Sequence, residues 1–155
     1  MEANRTVRVS AKALVIRNGK ILAIRLRDQD GDFYIMPGGG QTAGELLPDA
    51  VEREVAEETG LALKAQDVAF VIEGAEGEIH HRVDIVFRCE LVGEIDVNRH
   101  PDHNQIGYEW LDIATLNRMP LYPSRLRRPI MDLYEGKKIA VYLGNENMGD
   151  PEITD

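Results

Sequence analysis

The stretch Gly39–Leu61, GGQTAGELLPDAVEREVAEETGL, decides how this chain is read. Its second half has the composition of a helix. The helix is expected to begin near Leu47 or Pro48, since proline is tolerated in a first turn where its missing N–H costs nothing. Asp49 close to that end suits the helix dipole, and Gly60 is placed to take the left-handed conformation that ends a helix. At roughly 100° per residue, Glu54, Glu57 and Glu58 fall within an arc of about 100°. Val51 and Val55 lie next to that arc and Glu52 nearly opposite it, so the carboxylates border the buried face. Like charges three and four residues apart repel, and placing them beside a core adds desolvation. A divalent cation would remove that repulsion, and Mg²⁺ prefers carboxylate and water oxygens. Arg53, four residues before Glu57, can pair with it and hold its orientation. Spacing alone leaves two readings standing, a solvated acidic face and a metal site.

Upstream, Pro37-Gly38-Gly39-Gly40 makes a loop without side chains. Its backbone can approach a phosphate closely or offer a carbonyl to a metal. The full spacing is Gly39, five residues, Glu45, seven residues, then Arg53-Glu54-Val55-Ala56-Glu57-Glu58-Thr59-Gly60-Leu61. It resembles the signature of the Nudix hydrolase family, including its MutT-like members, without a gap or a substitution. The resemblance implies an α/β fold, an α/β/α sandwich around a mixed β-sheet, and a single domain over residues 1–143. It implies hydrolysis of a nucleoside diphosphate linked to another group, with Mg²⁺ or Mn²⁺ as cofactor. Carried onto matching positions, Glu54, Glu57 and Glu58 would be metal ligands, joined by the Gly40 backbone carbonyl. Arg53 would orient a glutamate, and Glu45 would support the turn between loop and helix. Glu57 and Glu58 rank above Glu54 as the catalytic base. Some relatives take the base from a later loop, here Pro101–Trp110, which makes Glu109 a further candidate ligand or base; an exposed strand residue is its alternative reading. Gly38 and Gly39 are candidate substrate-binding positions, as are Arg25 and Arg27, which share a strand face.

Substrate choice lies outside the motif. The proline and tyrosine associated with ADP-ribose and dinucleoside polyphosphate hydrolases are missing from Ala75–His80. A nucleoside triphosphate is therefore the first reading, and ADP-ribose or a nucleotide sugar the second. A non-catalytic nucleotide-binding module is the alternative from another class, set against the retention of every motif carboxylate.

The rest of the chain reads as strands with short helices. Val7–Ile16 and Ile21–Leu26 flank Asn18-Gly19, a strong hairpin signal because both central residues of a type I′ turn need positive φ. Asp28–Asp32 reads as an acidic turn. Phe33–Met36, Val68–Ile72, Ile79–Leu91 and Ile139–Leu143 are further strand candidates. Asp112 is expected to cap a short helix over Ile113–Leu116, and Ser124 to cap a second through about Tyr134. Arg125, Arg127 and Arg128 read as a basic cluster on a solvated face, and residues 144–155 as a polar tail.

A formal charge of −9 opposes non-specific binding to nucleic acid or anionic membranes. It also means that a phosphate substrate needs bridging cations. The one cysteine, Cys89, permits no internal disulfide and reads as a core thiol. The first residues lack a signal-peptide apolar region, and no apolar run approaches the length of a membrane span. These features predict a cytoplasmic protein acting on a small-molecule nucleotide, apart from nucleic acid and membranes. Homodimers are frequent in the family it resembles.

Overall fold

The computed structural model describes residues 6–76, 80–96 and 104–146. Its strands are β1 (Thr6–Leu14), β2 (Ile16–Arg17), β3 (Lys20–Asp28), β4 (Gly31–Ile35), β5 (Gly38–Gly40), β6 (Leu61–Glu76), β7 (His80–Glu94), β8 (Gln105–Asp112), β9 (Leu121–Tyr122) and β10 (Tyr142–Asn145). The helices are α1 (Leu47–Thr59) and α2 (Arg127–Tyr134), with 3₁₀ turns at Ile113–Arg118 and Ser124–Leu126.

The expected mixed sheet is split in two. One sheet runs β10-β6-β7-β1-β5; the other runs β2-β3-β4-β9, with β8 also paired to β3. Both are mixed, since β1–β7, β6–β10 and β4–β9 pair in parallel and the remaining pairs are antiparallel. Strand alternation divides the apolar residues between two cores. Ala11, Ala13, Leu22 and Phe87 pack with Ala50, Val51 and Val55 of α1. Leu14, Ile21, Val86 and Leu111 pack with Leu126 and Ile130 on the α2 side. Helices thus cover the sheets on two sides, as a sandwich requires.

The local signals fold as their chemistry dictates. Asn18 and Gly19 both take positive φ, 53° and 73°, and join β2 to β3. Helix α1 begins at Leu47 and carries Pro48 in its first turn. It stops at Gly60 with φ 76°, whose N–H donates to the Ala56 carbonyl at 2.8 Å.

Other expectations need correction. β6 is far longer than Val68–Ile72, because β7 pairs with it along most of its length. The segment from Gln105 onward is strand β8, not loop; Pro101, Asp102 and His103 lie outside the described residues. The expected tail begins too early. Gly144 and Asn145 belong to β10, which pairs with β6, and Glu146 bonds to Arg82. Residues 147–155 of that tail lie outside the described residues. Neither Asp112 nor Ser124 makes a side-chain cap; Asp112 pairs with Lys20 at 3.8 Å instead. Arg127 is fully buried, not solvated, with its guanidinium 5.2 Å from the Tyr122 ring centroid. Cys89 is buried, and burial pushes its thiol up to about 12, which fits a core thiol and no nucleophile.

Candidate functional site

The site forms where α1 meets the glycine strand β5. β5 is an edge strand on β1, with Gly38 opposite Lys12 and Gly39 opposite Ala11. Two of its glycines lie at close approaches, and at Gly38 the backbone makes glycine obligatory. A Cβ on Gly38, whose φ is 134°, would stand 2.1 Å from the Ala11 carbonyl oxygen. A Cβ on Gly39 would stand 2.5 Å from Oε2 of Glu54. Glycine thus lets the carboxylate face of α1 lie directly on the strand backbone.

Glu58 is the deepest of the three glutamates, 6% exposed. Its Oε1 accepts the Gly38 N–H at 2.7 Å and its Oε2 accepts from Nε2 of Gln105 at 2.8 Å. Burial raises its carboxyl from 4.5 to about 7, against the lowering effect of both hydrogen bonds and of the Lys12 charge. Glu54 and Glu57 are more open, with side chains 20% and 31% exposed.

Arg53 is the hub. Its Nε donates to Glu45 Oε2 at 2.7 Å, and its Nη2 donates to Glu45 Oε1 at 3.0 Å and to the Gly40 carbonyl at 3.1 Å. Its Nη1 reaches Glu54 at 3.1 Å and Glu57 at 3.3 Å. The guanidinium holds Glu45 at about 2, aided by Thr42, whose N–H and hydroxyl donate to the same carboxylate. The carboxylates in turn raise the Arg53 pKa above its ordinary value. Glu45 and Arg53 together pin the loop to the helix.

Among the described residues, no three His, Cys, Asp or Glu side chains are arranged to hold a metal ion. The hydrogen bonds give the reason: Arg53 draws Glu54 and Glu57, and Glu58 turns toward Gly38 and Gln105. The Gly40 carbonyl, a candidate ligand, accepts from Arg53. The donor set still fits a hard cation. Three carboxylates share one helix side, and each of the two more open ones can give one oxygen to the ion while the other stays beside Arg53, which also keeps Glu45 and Gly40.

Other candidates have partners of their own. Arg25 and Arg27 both bind Asp32, and Arg25 also donates to Glu109 at 2.8 Å. Glu109 accepts the Tyr34 hydroxyl at 2.9 Å with its other oxygen. It shares a face of β8 with Leu111, which packs in the α2-side core, whereas Trp110 packs in the α1 core. The β8 side chain that reaches a motif glutamate is Gln105. A neutral amide 47 residues from its partner gives no local signal in the sequence. A register break in the β3–β8 pairing beside Gln105 also disturbs simple alternation. Lys12 likewise carried no signal, since its role depends on pairing opposite Gly38.

Comparison with known proteins identifies the family. The NUDIX domain model matches residues 6–133. The chain is 30% identical over 87 residues to an ADP-ribose pyrophosphatase of Methanocaldococcus jannaschii, covering 55% of this chain and 52% of that one. It is 36% identical over 83 residues to an RNA pyrophosphohydrolase of Novosphingobium aromaticivorans, covering 53% and 47%. The chain thus spans about half the length of these curated relatives. Among solved structures, a MutT NUDIX hydrolase from Burkholderia pseudomallei superposes with a TM-score of 0.62 at 30% identity, covering 79% of this chain and 95% of that one.

Proposed function

The chain belongs to the NUDIX domain family, and from that premise we propose that it is a pyrophosphohydrolase that uses Mg²⁺ or Mn²⁺ to cleave the pyrophosphate bond of a nucleoside diphosphate derivative. The first substrate class is a nucleoside triphosphate. The observation that carries this reading is the row Glu54, Glu57, Glu58 laid against a glycine strand and framed by Arg53 and Glu45.

Glu54, Glu57 and Glu58 would hold the ion. When bound, it supplies neutralisation of pyrophosphate charge and a fixed water for in-line attack. Arg53 orients Glu54 and Glu57 and keeps the loop closed on the helix. Gly38 and Gly39 bring the strand backbone against the carboxylates, where a phosphate would meet the ion. Glu58, with its carboxyl near 7, is poised to take a proton near neutral pH, and Glu57 is the alternative base. Arg25, Arg27 and Glu109 form their own ion-paired cluster and are left out of this assignment.

ADP-ribose is the second substrate class, favoured by the relative named as an ADP-ribose pyrophosphatase. An RNA substrate sits badly with a net charge of −9. The setting proposed is cytoplasmic, and no helix among the described residues is long and apolar enough to cross a membrane.

The test is product analysis with nucleoside triphosphates, ADP-ribose, nucleotide sugars and dinucleoside polyphosphates. Nucleoside triphosphates should yield monophosphate and pyrophosphate. Activity should vanish with chelator and return with Mg²⁺ or Mn²⁺. Hydrolysis without metal would overturn the mechanism, and saturable binding without product would identify a binding module.

Gly39→Ala separates packing from chemistry. Its Cβ would meet the end of a flexible side chain, not backbone, so it should cost less than about 1 kcal/mol of stability. Displacing Glu54 should still lower kcat roughly tenfold. Full activity with an unshifted thermal midpoint would show that the Glu54–Gly39 contact is idle.

A further inference from the structure

A cavity of about 440 Å³ opens between β7 and the segment from β9 to α2, within the size range of small-ligand sites. Its apolar lining includes Met36, Val86, Tyr122 and Leu126, and its polar end is Asp84 with Arg82 and Glu146. Asp84 is 4% exposed. Its Oδ2 accepts from Arg82 Nε at 3.3 Å, whereas its Oδ1 is buried without a hydrogen-bond partner among the described residues. Arg82 also pairs with Glu146, in space that Gly74 leaves free. A buried carboxylate oxygen left unpaired costs stability unless a ligand brings it a donor.

The cavity is linked to the glutamate site. Lys12 lines it, and the same Lys12 pairs with Gly38 across β1–β5 and acts electrostatically on Glu58. Ile35 and Met36 line it just before the Pro37–Gly40 loop. Lys12 and Asp84 also share a sheet face, since Ser10 registers with Asp84 and Lys12 with Val86. That face is the α2 side of the sheet, and α1 packs on the other. A nucleotide with its base beside Asp84 would therefore pass Lys12 and the edge strand β5 to bring its phosphates to the glutamates. Tyr122 supplies an aromatic wall, with Arg127 over its ring.

We propose that this cavity receives the nucleobase and that Asp84 selects a guanine-type edge, two adjacent N–H donors. The inference rests on the nucleotide reading of the glutamate site. A carboxylate is acceptor-only, and guanine offers N1–H beside N2–H₂. Adenine and cytosine each place a ring-nitrogen acceptor beside their amino group, which a second carboxylate oxygen repels. Uracil and thymine flank their one N–H with two carbonyls and fit worst. A pocket built around a buried acceptor discriminates strongly, because the wrong base leaves it unpaired.

The experiment uses the full chain. Calorimetric titration without metal compares GMP, AMP, CMP and UMP, and hydrolysis with Mg²⁺ compares the four triphosphates. GMP should bind tightest and UMP weakest. Asp84→Asn replaces one acceptor with a donor and should lower the GMP-to-AMP affinity ratio roughly 10- to 100-fold. Thermal unfolding checks the fold, and Asp84→Ser serves where the asparagine variant does not fold. Equal binding of all four monophosphates, no binding of any, or a GMP preference that survives at Asp84→Asn overturns the proposal. Asp84-dependent GMP binding without hydrolysis of any triphosphate sinks the hydrolase reading and leaves the base pocket standing. Hydrolysis that is blind to the base does the reverse.

Discussion

Glu58→Gln is expected to lower kcat by about 100-fold or more while making the metal-free protein more stable above neutral pH. On the proposed function, the loss follows from removing the charge of a metal ligand and a proton acceptor. The gain follows from linkage. Burial raises the Glu58 carboxyl from 4.5 to about 7, so the folded state holds this proton more tightly than the unfolded state does. Stability from this group is therefore greatest below about pH 4.5, falls as pH rises toward 7, and is flat beyond. Glutamine never ionises, so the advantage of the variant should grow over that window, to at most about 3 kcal/mol. A gain of a few degrees in thermal midpoint at pH 8 is the corresponding signal. The fold should tolerate the change, because a glutamine oxygen can accept the Gly38 N–H and the Gln105 amide can turn to meet its NH₂. Near-normal turnover would remove Glu58 from the site. A stability difference that is constant with pH would remove burial as the cause.

Arg53→Ala should cost both stability and activity. The side chain donates two bonds to Glu45, one to the Gly40 carbonyl, and contacts Glu54 and Glu57. Its loss leaves three carboxylates without their shared cation and frees the loop from the helix. Charge-assisted bonds are strong, but this side chain is a third exposed, so solvent screening reduces them; a loss of about 2–3 kcal/mol is expected. The thermal midpoint should drop by roughly 5–10 °C, and kcat by about 100-fold or more as Glu54 and Glu57 lose their orientation. Arg53→Lys should recover little, since one ammonium cannot replace a planar fork spanning Glu45, Gly40 and the helix glutamates. The pH profile gives an independent reading. Arg53 depresses Glu45 to about 2, so its contribution is present above about pH 4.5 and is lost as pH falls through 2. That acid-side loss should disappear in Arg53→Ala. An unchanged acid profile would show that the pair does not couple loop to helix.

The sequence by itself determined the helix Leu47–Thr59, its stop at Gly60, the Asn18-Gly19 turn and the row of Glu54, Glu57 and Glu58 beside Val51 and Val55. Those features follow from local geometry, a fixed rotation per residue and the φ values that asparagine and glycine tolerate. Even the pairing of Arg53 with Glu57 is a matter of helix spacing. The partners brought from afar were decided only by the tertiary structure. Gln105 reaches Glu58 across 47 positions of the chain, and Gly38 across 20. Lys12 and Asp84 share a face only because β1 and β7 pair in parallel in one register. Arg25 and Arg27 have the right charge for a phosphate, but the hairpin from β3 to β4 hands them to Asp32. Register explains the difference: a shift of one residue turns every side chain of a strand to the other face, and local sequence does not reveal which strand will lie alongside. The motif spacing places the three glutamates, and the folded sheets decide what surrounds them.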